Sequence, residues 1–439
     1  MTDDAAVVVA GGGLAGLVAA RHLAAAGADV TLFEAREDVG GRVRTRTVDG
    51  FTLDRGFQVL FGAYPAVKRE LDLDALDLRR FDPGAVIARP GERSTLADPL
   101  RSPGDAVESL FNREVTVSDK LRTLALRQDL AGRTEAEIFA RPDAPIREYL
   151  RDWGFSPKYL RNFVAPFYGG ITLDRSLSTS KRVFEYTFKA LSEGTIGVPA
   201  AGMGAIPEQL ADRARSAGAE VVPDEAVETV DADRSAHSGG SASRTDAVTV
   251  TTADRTVAAD AVVVATDPKA ASDLTDAPGI PTRGRGCVTQ YYSLDRGLDV
   301  GPRLLLNAGD QAPNTVVPLT AAAPEYGDGD RELLNATFLG TEALGRDAED
   351  LFEETRETLS AWFPERRFDD LALVGTDRVP FAQFDQPPGV HDDLPSARAP
   401  DGSVYLAGDY TAWSSIQGAL RSGREAAGAV VADLDLDAA

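Results

Sequence analysis

The sequence predicts an α/β protein in which a doubly wound, Rossmann-like domain is interrupted by an inserted α+β domain. Three observations predict it. A glycine-rich break separates a buried apolar strand from a helix, a second buried strand follows that helix, and further buried strands recur far along the chain. Short, continuous β-branched runs are typical of parallel strands that are covered on both faces.

The N-terminal elements follow in the order strand, helix, strand. Residues 6–10 form an apolar run rich in valine, residues 17–26 have helical spacing, and residues 29–34 form a second apolar run. Gly27 directly follows the helix, where glycine is common because it adopts a left-handed backbone without strain. These residues therefore predict one βαβ unit.

The residue pattern changes several times along the rest of the chain. Charged and apolar residues alternate at helical spacing, with prolines between them, in a mainly helical region over 118–189. Two more helices are predicted, over 203–218 and 347–362, and a closing helix over 416–434. The predicted strands are 220–222, 226–230, 247–252, 261–266 and 404–407, with mixed strand-like segments over 288–382. A Ser/Gly tract at 233–244 predicts an exposed hairpin loop.

Composition excludes several classes of protein. The 439 residues carry 69 acidic and 46 basic side chains, a formal charge of −23, which disfavours nucleic acid as a partner. Only six of the basic residues are lysines, and an acidic, lysine-poor surface suggests a halophilic protein whose self-repulsion is screened by salt. One cysteine and three histidines without ligand spacing predict no metal site. The acidic N-terminus and the absence of about 18 uninterrupted apolar residues predict a cytoplasmic protein.

A dinucleotide fingerprint opens the chain. Gly11-x-Gly13-x-x-Gly16 joins the first strand to the helix, where glycines permit a tight turn and a close approach to a pyrophosphate. Glu34 ends the second strand, where a carboxylate accepts hydrogen bonds from ribose hydroxyls. Such a carboxylate disfavours NADP but leaves NAD and FAD open. The predicted contacts are Gly11, Gly12, Gly13, Leu14, Ala15, Gly16, Glu34, Ala35 and Arg36.

Two further motifs distinguish these cofactors. The first is Gly40-Gly41-Arg42, and the second combines Gly408-Asp409 with Gln417-Gly418-Ala419. Together with the fingerprint they resemble the flavoprotein superfamily of amine oxidases, protoporphyrinogen oxidases and carotenoid desaturases. The resemblance implies non-covalent FAD. It also implies that Arg42, with Arg36, neutralises the pyrophosphate, that Asp409 binds a ribityl hydroxyl, and that a helix starting near Gly418 points its amides at the flavin.

The resemblance also implies a domain division. Val227 occupies the position at which the superfamily packs a valine against adenine. The FAD-binding domain is predicted to comprise residues 1–85, 196–285 and 396–439. The substrate domain is predicted to comprise residues 86–195 and 286–395.

The closest motifs are those of plant-type carotenoid and squalene-forming desaturases. Phe61-Gly-Ala-Tyr-Pro65 and Ala407-Gly-Asp-Tyr-Thr411 resemble them, although Gln58 lies where that branch commonly has a histidine. The resemblance implies hydride transfer to flavin N5 from an apolar isoprenoid. No catalytic side chain is predicted, and His22, His237 and His391 are interpreted as solvated or structural. A substrate pocket is predicted at Phe163, Phe167, Tyr168 and Trp413, although an aromatic stripe of this kind is more often a helical core.

Other functions remain open. An amine oxidase usually supplies a lysine near the flavin, but the expected strand at 288–293 has none. Protoporphyrinogen oxidase is a second enzymatic alternative, and a flavin-free carrier of prenylated proteins is an alternative of another class. A plain NAD dehydrogenase would leave the two later motifs unexplained. A lipid-like substrate would suit peripheral membrane contact, but no basic amphipathic helix is evident. The sequence does not predict an oligomeric state.

Overall fold

The chain alternates short strands and helices from end to end. The computed structural model describes residues 5–97, 115–232, 248–309, 312–400 and 402–436. The predicted loop at 233–244, which contains His237, lies outside the described residues, as does the first residue of the predicted strand 247–252.

The strands of the described residues are, in chain order, β1 (Ala6–Ala10), β2 (Asp29–Phe33), β3 (Thr45–Val48), β4 (Phe51–Asp54), β5 (Leu60–Phe61), β6 (Leu78–Arg80), β7 (Gly84–Arg89), β8 (Glu92–Ala97), β9 (Ile196–Pro199), β10 (Glu220–Val222), β11 (Val227–Ala232), β12 (Val248–Thr252), β13 (Thr256–Ala259), β14 (Ala261–Val264), β15 (Gly284–Leu294), β16 (Leu304–Asn307), β17 (Thr315–Pro318), β18 (Glu332–Leu339), β19 (Ala372–Phe384) and β20 (Val404–Leu406).

The helices of the same residues are α1 (Leu14–Ala25), α2 (Pro65–Glu70), α3 (Val117–Leu130), α4 (Glu135–Phe139), α5 (Ile146–Asp152), α6 (Pro157–Tyr159), α7 (Ala165–Thr172), α8 (Lys181–Glu193), α9 (Ala205–Ala217), α10 (Pro268–Thr275), α11 (Leu319–Ala322), α12 (Thr341–Leu344), α13 (Ala348–Trp362) and α14 (Ile416–Asp433). A π-helical segment, Leu160–Val164, joins α6 to α7.

A parallel five-stranded sheet forms the first layer. Its order is β10-β2-β1-β14-β20, and each neighbouring pair is parallel. The two central strands β1 and β14 are almost fully buried, as expected of strands covered on both faces. Helix α1 packs against α9 and α14. The predicted βαβ unit and the Rossmann-like fold class are confirmed.

A seven-stranded sheet forms the second layer. Its order is β19-β15-β18-β17-β16-β7-β8, and its pairs are antiparallel except for β16 with β7. Its separate core includes the buried Trp362 and Phe338. All strands of the first sheet come from the three ranges predicted for the FAD-binding domain. Because β7 begins at Gly84 and β15 at Gly284, two predicted boundaries cut strands of this second sheet. The division into two domains stays a prediction.

The predicted helical region corresponds to α3 through α8. Helices α3 and α4 each begin with a capping box, at Thr116 and Thr134. Helix α3 carries an exposed apolar stripe that the sequence analysis missed, at Val117 (71% exposed), Leu121 (63%) and Leu124 (45%). Among the described residues, no helix is both long and apolar enough to cross a membrane.

Several helices differ from the sequence prediction, and α1 and α10 show the reasons. Helix α1 begins at Leu14, three residues before the predicted start, because Gly13 is already its N-cap, with φ −74° and ψ 177°. Helix α10 was not predicted. Its sequence is short, and its start depends on Asp267, whose carboxylate accepts the amide protons of Lys269 and Ala270.

Candidate dinucleotide-binding site

The glycine fingerprint lies where β1 passes into α1, and each of its three glycines meets a different constraint. Gly11 has φ +105°, and a Cβ there would lie 2.9 Å from the Ala265 carbonyl oxygen. A Cβ at Gly16 would lie 2.0 Å from the Gly11 carbonyl oxygen, so this glycine allows the helix to pack on the strand. A Cβ at Gly13 would meet nothing within 4 Å, which leaves open space beside the N-terminus of α1.

Glu34 directs its carboxylate at this loop. Its Oε2 accepts the Gly12 amide proton at 2.8 Å, and its Oε1 accepts the Arg36 amide proton at 3.1 Å. The carboxylate is buried, whereas Ala35 and Arg36 are exposed. Leu14 and Ala15 form the first turn of α1, which has no side-chain cap and no acidic residue. The N-terminus of α1 therefore keeps its favourable field for an anion.

The Gly40-Gly41 turn lies against the fingerprint loop. The Gly40 amide donates to the Gly12 carbonyl oxygen at 2.8 Å. Both glycines have positive φ, +120° and +60°, and a Cβ at Gly41 would lie 3.4 Å from the Gly13 Cα. Two glycines thus face each other with no side chain between them. This cradle at a helix N-terminus fits the pyrophosphate of a dinucleotide.

Arg42 joins the two ends of the chain. Its Nη2 donates to Asp409 Oδ1 at 2.7 Å, across a sequence separation of 367 residues, and its Nη1 donates to the Ala382 carbonyl oxygen. Asp409 is buried, and its Oδ2 accepts a hydrogen bond from Ser414. Burial opposes the charge of Arg42, but pairing with Asp409 keeps its pKa above the usual value. The N-terminal and C-terminal motifs therefore form one site.

The C-terminal helix differs in detail from the expectation. Helix α14 begins at Ile416, the start of the predicted range 416–434, and Ser415 is its N-cap. The Gly418 amide donates to Ser415 Oγ at 2.8 Å, so this amide is not free to point at a ligand. Ala419 is half-buried in the same first turn. Gly408 anchors the preceding segment by donating its amide proton to Ser422 Oγ at 2.9 Å.

Glu135 is a residue that the sequence analysis missed. Its carboxylate accepts hydrogen bonds from Trp413 Nε1 (2.9 Å), Gln417 Nε2 (2.9 Å) and Arg421 Nη1 (2.7 Å). Gln417 is buried, and its Oε1 accepts the Ala66 amide proton at 2.9 Å. Glu135 thus ties helix α4 to the segment that follows Asp409. No local pattern could reveal this role, because its partners lie nearly 300 residues away.

Val227 lies in the neighbourhood predicted for adenine. It begins β11, at an irregularity in its pairing with β12. Two residues earlier, the Glu225 amide donates to the Glu34 carbonyl oxygen at 2.9 Å. The strand that carries Val227 therefore starts beside the end of β2.

Gln58 takes the place of the histidine common in the desaturase branch. Its Nε2 donates to the Arg42 carbonyl oxygen at 3.2 Å. Its Oε1 is buried and has no partner among the described residues. The side chain therefore supports the backbone at Arg42 and leaves one acceptor beside it.

The residues predicted for a substrate pocket belong to two aromatic groups. Phe155, Tyr159, Phe163 and Phe167 form a stacked ladder with ring centroids 5.1 to 5.4 Å apart. Tyr168 continues it toward Phe184, at 4.5 Å.

Trp413 packs in the second group, with Tyr64, Phe139 and Tyr186 at 5.6 to 5.9 Å. It is 1% exposed, so its ring is part of the core here. Burial raises the pKa of Tyr168, and the hydroxyls of Tyr159 and Tyr64 raise it further.

The described histidines have different surroundings. His22 lies on α1 and contacts the buried Glu70 at 3.0 Å. His391 lies 5.0 Å from the Phe139 ring, and its Nε2 is 3.2 Å from Gln386 Oε1. Burial lowers the pKa of His391 to about 4, with Arg182 acting in the same direction and Asp143 and Asp392 against it. His391 is therefore neutral at pH 7.

The fold and the site together define a dinucleotide-binding protein whose two chain ends close one cofactor site. The profile of the family described as flavin containing amine oxidoreductase matches residues 14–431, nearly the whole chain. The chain belongs to this family and is an FAD-dependent oxidoreductase.

Similar proteins include several carotenoid desaturases. The 15-cis-phytoene desaturase of Arabidopsis thaliana is 24% identical over 99% of this chain and 81% of its own. The carotenoid 3,4-desaturase of Haloarcula japonica is 26% identical over 51% of this chain and 50% of its own.

Solved structures share the fold. An oxidoreductase from Methanosarcina mazei has a TM-score of 0.74 at 18% identity, covering 95% of this chain and 99% of its own. Putrescine oxidase bound to putrescine has a TM-score of 0.72 at 19% identity, covering 98% and 99%.

Proposed function

We propose that this protein is a desaturase-like oxidoreductase that removes hydrogen from an apolar isoprenoid. The observation that carries the proposal is the aromatic ladder Phe155-Tyr159-Phe163-Phe167, because a stack of rings offers an extended apolar wall and no charge. Phe163 and Phe167 remain partly exposed, as a binding surface requires. Similarity to phytoene and carotenoid desaturases supports the same substrate class.

The chain's own residues bind and orient the reactants. When bound, FAD accepts a hydride at N5 of its flavin ring. The cofactor contacts we propose are Gly11, Gly12, Gly13, Leu14, Ala15, Gly16, Glu34, Ala35, Arg36, Gly40, Gly41, Arg42, Val227, Gly408, Asp409, Gln417, Gly418 and Ala419. The ladder holds the hydrocarbon chain and excludes water, so the reaction is promoted by positioning rather than by an acid or a base. The substrate contacts we propose are Phe163, Phe167 and Tyr168, with Trp413 supporting the flavin-facing segment.

The first test is an anaerobic absorbance measurement on the purified protein. Addition of a polyene precursor such as phytoene should bleach the bound flavin. Bleaching by an amine or a porphyrinogen instead would assign the protein to the alternative activities and overturn the proposal. A protein that purifies without flavin and fails to bind added FAD would favour the carrier alternative.

A variant pair tests the ladder itself. Phe167→Ala removes the last ring of the stack and should raise KM for the polyene while leaving flavin content unchanged, because the ring contacts substrate and not the cofactor. Phe352→Ala is the matched control, since Phe352 is also partly buried but packs in the separate core of the seven-stranded sheet. An equal effect of the two substitutions on KM would remove the ladder from the substrate site.

We also propose that the protein collects its substrate from a lipid surface through α3. Val117, Leu121 and Leu124 recur at i, i+4 and i+7 and so form one exposed apolar face. Thr123 on this helix lies 3.5 Å from Tyr159, so α3 lies directly beside the ladder. An apolar substrate dissolved in a bilayer would then enter next to the residues proposed to bind it.

Vesicle sedimentation tests the lipid contact. The double substitution Leu121→Gln and Leu124→Gln should reduce binding to neutral phosphatidylcholine vesicles about tenfold or more. Burial of each leucine side chain in the lipid would contribute roughly 1.5 kcal/mol or more to the binding free energy. Leu373→Gln is the control, since Leu373 is 37% exposed and lies on strand β19 of the seven-stranded sheet. Unchanged binding of the double variant would exclude α3 as the contact.

A further inference from the structure

Two arginines lie opposite each other immediately after the Gly40-Gly41 turn. The β3–β4 register pairs Thr45 with Asp54, and the Arg55 amide donates to the Arg44 carbonyl oxygen at 2.8 Å. Arg44 and Arg55 are therefore the next cross-strand pair. Like charges at such positions repel and destabilise a sheet, so an anion beside these two arginines would be stabilising.

No carboxylate forms an ion pair with either arginine among the described residues, although the negative charge of Asp377 partly offsets the lowering of the pKa of both. The Arg44 Nε atom is buried without a partner, and neither Arg44 nor Arg55 has a side-chain hydrogen bond or ion pair among the described residues. Asp409 pairs with Arg42, and Asp377 pairs with Arg46 through Oδ1 while its Oδ2 has no partner among the described residues.

A third arginine adds to the local positive charge. Burial lowers the pKa of Arg44, and the positive charges of Arg55 and Arg36 lower it further. Burial and the charge of Arg36 likewise lower the pKa of Arg55. Three guanidinium groups therefore repel one another beside the same loop.

The cluster adjoins the cradle of Gly13 and Gly41 along the chain, since Arg44 follows Gly41 by three residues and Arg36 Nη1 donates to the Gly41 carbonyl oxygen at 3.5 Å. Glu34 acts on the charge of Arg44, yet both oxygens of Glu34 are held by backbone amides of Gly12 and Arg36. The unpaired positive charge thus lies beside an open backbone pocket at a helix N-terminus. That combination is suited to phosphate oxygens.

We propose that Arg44 and Arg55 bind a phosphate-type oxyanion, supplied either by the diphosphate of FAD or by a separate phosphorylated ligand. Arg36, Arg44 and Arg55 contribute three positive charges without a carboxylate partner, enough to neutralise a diphosphate that carries two negative charges. The assignment depends on the chain binding FAD and not on the identity of its substrate.

Binding to the flavin-free protein tests the first source. Arg44→Gln and Arg55→Gln should each weaken FAD binding about 10- to 100-fold, the loss expected for one hydrogen bond between charged groups. Riboflavin, which has no phosphate, should bind all variants equally. Arg296→Gln, a substitution on an arginine that is 77% exposed, is the control.

The second source is tested on the flavin-loaded protein. If FAD retention is unchanged but the variants lose binding of inorganic pyrophosphate, the oxyanion belongs to a separate ligand. If both FAD and pyrophosphate bind the variants as they bind the wild type, the assignment is wrong. Equal weakening of FAD and riboflavin would also overturn it, since the damage would then be structural.

The unfolding midpoint gives an independent test, because the expected effect of Arg44→Gln on it changes sign when FAD is bound. Without an anion, Arg44→Gln relieves repulsion from Arg55 and should raise the unfolding midpoint in low salt. With FAD bound, the same substitution should lower the midpoint. A purely structural arginine would lower it in both forms, and that result would refute the proposal.

Discussion

The ion pair between Arg42 and Asp409 joins the first and last motifs of the cofactor site, and its strength can be measured. The two side chains meet at 2.7 Å, with 30% and 3% of their surfaces exposed. We consider Asp409→Asn, which keeps the shape and the hydrogen bond from Ser414 but removes the charge. Arg42→Gln and the double variant complete a double-mutant cycle.

The structure sets the expected magnitude. Removing one partner of a fully buried pair costs about 3–5 kcal/mol, and an exposed pair contributes about 0–1 kcal/mol. Arg42 is partly solvated and keeps its hydrogen bond to the Ala382 carbonyl oxygen, so we expect Asp409→Asn to lower the free energy of unfolding by about 2 kcal/mol. The coupling energy of the cycle should then lie at about 1–2 kcal/mol.

Urea unfolding of the four flavin-free proteins at pH 7 provides the assay. The matched control is the cycle on Arg398 and Asp433, which are also in contact but are 52% and 41% exposed. Its coupling energy should be clearly smaller, because solvent screens an exposed pair. If the Arg42–Asp409 coupling is no larger than that of this surface pair, the ion pair does not hold the two ends of the site together.

Four further predictions follow from other residues. Glu135→Gln should speed FAD release in stopped-flow dilution, because the segment after Asp409 loses its charged hydrogen-bond acceptor. The control is Glu148→Gln, at an exposed position. Equal release rates for the two variants would contradict the prediction. Glu70→Gln should lower the unfolding free energy by about 3 kcal/mol or more, as it leaves Arg21 on α1 and Arg424 on α14 without their buried carboxylate. Because the folded-state pKa of His391 is about 4, below the unfolded value, stability should rise from pH 4 to pH 6.5, and His391→Leu should flatten that rise. The charge of −23 predicts an unfolding midpoint that rises with molar KCl, and an equal midpoint in dilute buffer would count against a halophilic protein.

Much of the cofactor domain could be predicted because its signals are local. The run at 6–10 is apolar and β-branched in any context, and it forms β1 with the predicted bounds. The fingerprint glycines and Glu34 lie at fixed offsets from that strand, so their mutual placement follows from one βαβ unit. The error at the start of α1 has a local cause, because Gly13 acts as its N-cap.

The sequence by itself determined the fold class, the cofactor motifs and the excess of negative charge, since these depend on short-range periodicity, spacing and composition. Only the tertiary structure decided which distant groups meet. It brought Glu135 to Trp413, paired Arg42 with Asp409, and left Arg44 beside Arg55 without a partner. The physical reason is that an ion pair or a repulsion depends on distances of a few ångströms between side chains, and residues hundreds of positions apart leave no periodic trace of that distance in the sequence.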